Sequence, residues 1–131
     1  MTWYHTSTGG GGGGGSSGHN YSTTEQIIGT WIDGTTLYEK TINFTTTSSS
    51  NYTTQSLGLL TSNVNTIWMH ECYAFINGTS YSIGSYRSSP GNEEFLGFVY
   101  KSTPNVELHY RVGSGVRSAN AYITVRYTKT S

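Results

Sequence analysis

Charge is scarce in this chain. Only 11% of its 131 residues are charged, seven Asp+Glu against seven Lys+Arg, and the formal net charge is zero. Nucleic-acid affinity rests on a clustered basic surface, so no nucleic-acid partner is expected. Cysteine is nearly absent. Cys72 stands alone; it makes no internal disulfide and excludes a zinc site built from several cysteines. Asp33 is the one aspartate, and a Ser-His-Asp triad would have to recruit it from what reads as a turn. The strand–turn–helix elbow that often presents a nucleophilic serine is missing as well. No apolar run approaches the ~20 residues of a membrane span, and no membrane insertion is expected. The opening MTWYHTSTGG has neither a basic nor an apolar stretch, so no secretory signal is expected. Strong helix formers are too few for a bundle. Aliphatic residues are short too: Leu, Ile, Val and Phe total 24, below the ~20% that flags disorder when net charge is high. Here the net charge is absent.

What is present is Thr (21), Ser (18), Gly (17) and Tyr (11), with three Trp. The composition changes near residue 20. Eight of the 17 glycines fall within residues 1–18, seven of them in series: Gly9, Gly10, Gly11, Gly12, Gly13, Gly14 and Gly15. Residues 1–20 therefore read as a Gly-rich N-terminal segment and residues 21–131 as one domain. The glycine run suits a flexible linker. It also suits an extended attachment or oligomerisation element, because chains without Cβ atoms pack closely around a shared axis. The run contains GxGxxG, as any polyglycine does, but lacks the preceding strand and following helix of a phosphate site.

From residue 21 onward the apolar period is two. In 121–128, Ala121, Ile123, Val125 and Tyr127 alternate with Tyr122, Thr124, Arg126 and Thr128. In 106–112, Val106, Leu108, Tyr110 and Val112 alternate with Glu107, His109 and Arg111. Each predicts a strand with one buried and one wet face. Residues 67–76 are apolar on both faces, which predicts a central strand. Residues 95–101 predict another, with Gly97 as a bulge or a close approach. Residues 27–32 and 37–44 pair across Asp33-Gly34, a hairpin dipeptide. Residues 55–60 and 80–85 are further strands, the latter returning after Asn77-Gly78. Thr23 to Gly29 holds one helical turn at most. Loops are expected at 45–54, 86–92 and 113–118. Short strands at this spacing predict an all-β, antiparallel sandwich, jelly-roll-like. Its buried tyrosine hydroxyls need partners.

Catalytic constellations do not assemble. Glu93 and Glu94 are adjacent, and neighbours at a strand start point to opposite faces rather than at one substrate. His70 and Cys72 share a strand face, but two ligands without a second cluster make a poor metal site; a core histidine beside a buried thiol is expected, with no metal and no cofactor. Four N-x-S/T sequons, at Asn20, Asn43, Asn51 and Asn77, are about what chance gives in so Ser/Thr-rich a chain. Surface recognition fits better. Ring faces stack on sugar C–H patches while amides and guanidinium groups hold hydroxyls. Tyr52 in one loop, and Tyr81, Tyr86, Arg87 and Asn92 in or beside another, are the candidate ligand contacts.

Two segments carry a family resemblance. Trp31, Ile32, Asp33, Gly34, Leu37, Tyr38, Lys40, Thr41 and Ile42 form one, within EQIIGTWIDGTTLYEKTINF; Tyr122, Ile123, Thr124, Tyr127, Thr128, Lys129 and Thr130 form the other. Together they resemble the C-terminal β-domains of bacteriophage and prophage tail-fibre or receptor-binding-type virion proteins. Thr35-Thr36 departs from the family's frequent Lys-Pro, and the Thr/Ser run after Phe44 departs from its Gly-containing segment. The resemblance implies a non-enzymatic virion structural protein on the phage tail or capsid surface. It implies a homotrimer, contacts to other virion proteins through the N-terminal segment, and a host cell-surface glycan as ligand. With Met1 so close upstream, a small standalone virion protein is expected, or a domain excised from a longer fibre. The alternatives are a capsid decoration or head-fibre protein and a free-standing carbohydrate-binding module.

Overall fold

A computed structural model describes residues 19–47, 52–76, 78–84, 95–113 and 118–130. Among the described residues eight strands follow one another: β1 Gln26–Thr30, β2 Thr36–Thr45, β3 Thr53–Leu60, β4 Val64–Ile76, β5 Thr79–Ser82, β6 Phe95–Lys101, β7 Asn105–Val112 and β8 Asn120–Lys129. A 3-10 turn at Thr61–Asn63 joins β3 to β4. All pairings are antiparallel. One sheet has the order β1-β2-β8-β4-β5 and the other β3-β7-β6. The fold is the all-β sandwich that the alternation predicts. Strands β2 and β3 lie in different sheets, and β8 and β7 return to them in reverse order, the nested wrapping of a jelly roll. The β4–β5 hairpin stays within one sheet.

The first hairpin shows the local logic. Gly34 takes a φ of +90°, which side chains with a Cβ rarely adopt. The Asp33 carboxylate accepts the Thr35 N–H at 3.0 Å and the Thr35 hydroxyl at 2.6 Å. The hydroxyl bond, then the backbone bond, holds the Asp33 carboxyl below its ordinary value. Gly34 N–H closes the turn onto the Trp31 carbonyl at 2.9 Å. The only aspartate is thus a turn residue.

The core forms where the two sheets meet. Ala121, Ile123, Val125 and Tyr127 of β8 are fully buried. They share one cluster with Val106, Leu108, Tyr110 and Val112 of β7, Phe95 of β6, Leu57 of β3 and Phe44 of β2. Burying each large apolar side chain contributes about 1.5–3 kcal/mol. The buried tyrosines find partners. The Tyr110 hydroxyl accepts the Thr47 N–H at 3.0 Å, and the Tyr127 hydroxyl donates to Glu25 at 2.5 Å. Burial, reinforced by that bond, raises the Tyr127 hydroxyl far above its ordinary value.

Glu25 also accepts from Lys129 at 2.7 Å. Burial opposes its ionisation, but the bonds from Lys129 and Tyr127 prevail and hold its carboxyl below the ordinary value of 4.5. A carboxyl depressed in the folded state stabilises above its unfolded value and loses that contribution as pH falls through the folded one. Urea midpoints should therefore fall as pH drops below about 4.5, and Glu25→Gln should flatten that limb. The effect is small, because Lys129 is well exposed and water screens the pair.

Three expectations are corrected. On the strand at 121–128 the face expected to be wet is closed beyond the half-buried Tyr122. Thr124, Arg126 and Thr128 are buried, like the residues between them. Their polar groups pair within the protein: Thr124 with the Thr41 hydroxyl at 2.7 Å, Arg126 with Glu39 at 3.0 Å, and Thr128 with the Thr66 N–H at 3.2 Å. Consequently β8, not the strand at 67–76, is the central strand of the larger sheet; β4 lies between β8 and β5. The helical turn considered at 23–29 is instead the approach to β1, with the strand starting at Gln26.

Candidate ligand-binding face

Alternation along β7 sends Glu107, His109 and Arg111 away from the core. Pairing then sets their neighbours. His109 lies opposite Phe98 of β6 and Thr54 of β3, and Glu107 opposite Tyr100 and Ser56. Tyr52, just before β3, packs edge-on against Phe98 with ring centroids 5.4 Å apart. His109 lies 5.4 Å from Phe98 and 4.9 Å from Tyr100. Phe98 and Tyr100 meet at 88° and 6.3 Å. The result is a corrugated aromatic face on the outer side of the three-stranded sheet. Tyr52 is 51% exposed, Phe98 43% and Tyr100 50%, too much aromatic surface on one face to be core. At its centre His109 Nε2 lies 3.1 Å from Glu107 Oε1, so a polar acceptor sits among the rings.

This arrangement suits ligand binding. Stacked rings hold apolar patches of a ligand, and the His109–Glu107 pair and the Thr54 and Ser56 hydroxyls offer polar contacts. Among the described residues Glu107 is the only carboxylate of this face.

Of the sequence-predicted contacts, the structure places Tyr52 on this face. Tyr81 lies in β5, within the strand expected at 80–85, opposite Ala74 of β4 and on the other sheet. The two tyrosines are not brought together. Tyr86, Arg87, Asn92, Glu93 and Glu94 lie outside the described residues, as do Gly9 to Gly15. Sequence reasoning missed Phe98, Tyr100 and His109. The signal was available: Phe98 and Tyr100 are two apart, and His109 lies on the wet face of the clearest amphipathic strand.

The remaining titratable groups gather elsewhere. In β4 the register shifts between Met69 and Glu71. This bulge breaks the period of two, so His70 and Cys72 do not share a face as expected. His70 Nε2 lies 3.6 Å from Glu71 Oε2, whereas Cys72 is buried in the inter-sheet core. Burial raises the Cys72 thiol to about 12, which leaves it protonated and unreactive. Burial, then the nearby Arg126 charge, lowers His70 from its ordinary value. Among the described residues no three His, Cys, Asp or Glu side chains converge as a metal site.

On the outer side of the five-stranded sheet, Glu39 is fully buried. One of its oxygens accepts from Arg126, and the other meets His19 at 2.6 Å and Gln26 at 3.1 Å. Residues 19–22 lie over this pair. Tyr21 donates to Glu71 at 2.9 Å, and the Ser22 carbonyl accepts the Thr41 N–H. Trp31 and Trp68 cover the same side, ring centroids 4.5 Å apart. These contacts read as structural sealing of a buried ion pair.

An antiparallel β-sandwich with an exposed aromatic face is the class that fold and site define. Comparison with known proteins finds no matching family model, no matching curated protein and no matching solved structure.

Proposed function

We propose that this chain is a non-enzymatic, receptor-binding-type β-domain of a phage virion, which holds a host-surface glycan on the outer face of its three-stranded sheet. The observation that carries the binding role is the cluster of half-exposed Tyr52, Phe98 and Tyr100 around His109. Rings of this kind bind the C–H faces of sugars, and adjacent polar groups fix orientation. The virion assignment rests on the resemblance of the two end segments. In this reading the Gly-rich N-terminus joins the domain to other virion proteins, and the domain works as a homotrimer.

The test is a glycan array probed with the purified chain. At least one glycan should bind, and Phe98→Ala and Tyr100→Ala should each weaken binding by about tenfold or more without changing the circular dichroism spectrum. An array without hits, or hits indifferent to both substitutions, would overturn the assignment of this face.

A further inference from the structure

The opposite side of the sandwich carries a second aromatic cluster that the proposed function does not use. Tyr73 of β4 lies opposite Tyr122 of β8, and Phe75 lies opposite Asn120. On the other flank of β8, Tyr122 lies opposite Asn43 of β2. The rings form a triangle: centroids are 5.2 Å apart for Tyr73–Phe75 and 6.2 Å for each pair that includes Tyr122. Phe75 is exposed.

An amide pair borders the rings. Asn43 Nδ2 donates to Asn120 Oδ1 at 2.8 Å and to the Ala121 carbonyl at 2.9 Å. Those bonds use both Asn43 donors and occupy the Asn120 oxygen. The Asn43 oxygen is left as an acceptor and the Asn120 nitrogen as a donor. The Tyr73 and Tyr122 hydroxyls add two more groups that donate and accept.

The charge pattern narrows the ligand. None of these five residues is charged. One rung along the same face lies Glu71, which takes the Tyr21 hydroxyl and faces His70 at 3.6 Å. The Arg126 charge nearby is bound to Glu39. An anionic ligand would meet the Glu71 carboxylate, and among the described residues no cation is presented to it. A neutral sugar ring has what the patch complements: an apolar C–H face for the aromatic rings and an edge of hydroxyls for an amide donor and acceptor.

We infer that Tyr73, Phe75, Tyr122, Asn43 and Asn120 form a second saccharide site, selective for neutral sugar rings and facing away from the first. One chain then presents two sugar-binding faces on opposite sides, so it can bridge two glycan strands or gain avidity on one dense surface.

The experiment is an NMR titration of the full chain with methyl α-D-glucopyranoside, methyl α-D-mannopyranoside and methyl β-D-galactopyranoside, with N-acetylneuraminic acid as the anionic comparison. At least one neutral glycoside should shift the Tyr73, Phe75, Tyr122 and Asn120 signals, and the acid should not. Phe75→Ala should weaken that binding by about tenfold or more. The near-isosteric Asn120→Asp should weaken it too, with the remaining spectrum of each variant reporting an intact fold. Phe98→Ala, on the other sheet, should leave it unchanged.

The inference is overturned if no glycoside shifts these signals, if both substitutions leave affinity unchanged, or if the acid binds as well as the neutral sugars. It is also overturned if the same signals shift with protein concentration alone and stop doing so in Phe75→Ala, because a second copy then covers the patch. Binding lost only in Phe98→Ala would remove this site and leave the first. Binding lost only in Phe75→Ala would do the reverse.

Discussion

Arg126→Met is expected to destabilise the domain by about 3–5 kcal/mol. The cost does not come from the attraction that is removed. It comes from what remains, a Glu39 carboxylate with no exposure to solvent. Arg126 Nε donates to it at 3.0 Å, and its other oxygen is already held by His19 and Gln26. Without the guanidinium, the charge stays buried with no compensating cation on the β8 side. Breaking one partner of a buried pair is strongly destabilising, whereas replacing both with apolar groups is often neutral. The double variant Glu39→Leu/Arg126→Met should therefore recover most of the loss, and the two single costs should be far from additive. Urea unfolding of the four proteins, at an unchanged slope against denaturant, measures this. A cost below about 1 kcal/mol for Arg126→Met would mean that water reaches Glu39 beneath residues 19–22.

That pair also marks the limit of what the sequence reveals. Alternation along 106–112 and 121–128 needs only neighbouring residues, so strands, sandwich class and inner faces were legible. Whether the polar face of 121–128 is wet depends on Glu39, which lies 87 residues from Arg126 in the chain. No local pattern carries that. The bulge between Met69 and Glu71 is equally hidden, because IWMHECYAFI reads as one continuous strand while His70 enters as the extra residue and so leaves the face of Cys72. The candidate site was legible in part. Tyr52 stands out as a loop aromatic. Phe98 and Tyr100 sit in a segment apolar on both faces, which reads as core. Only the pairing of β6 with β7 places them beside His109 on an exposed face.

Gly97→Val is the substitution that joins stability to the site. The sequence admitted either a bulge or a close approach at Gly97. The β6–β7 register runs without a shift from Phe95 to Lys101, so it is a close approach. A Cβ there would lie 2.6 Å from the His109 carbonyl oxygen, 2.8 Å from Ile83 Cδ1 and 3.1 Å from Tyr110 Cα. Ile83 can turn its terminal methyl aside. The His109 carbonyl belongs to the backbone of the middle strand of the three-stranded sheet and cannot move without shifting that strand. Overpacking of this kind costs about 1–3 kcal/mol, and valine, with two further methyl groups, belongs at the upper end. The strain falls between Gly97 and Tyr110, one residue from the facing pair Phe98 and His109. Relief by parting β6 from β7 would separate those rings and lower glycan affinity together with the urea midpoint. Phe98→Ala, by contrast, trims an exposed ring and should lower affinity while leaving the midpoint nearly unchanged. If Gly97→Val lost stability but bound glycan as well as the parent, the aromatic face would not depend on the close approach of these two strands.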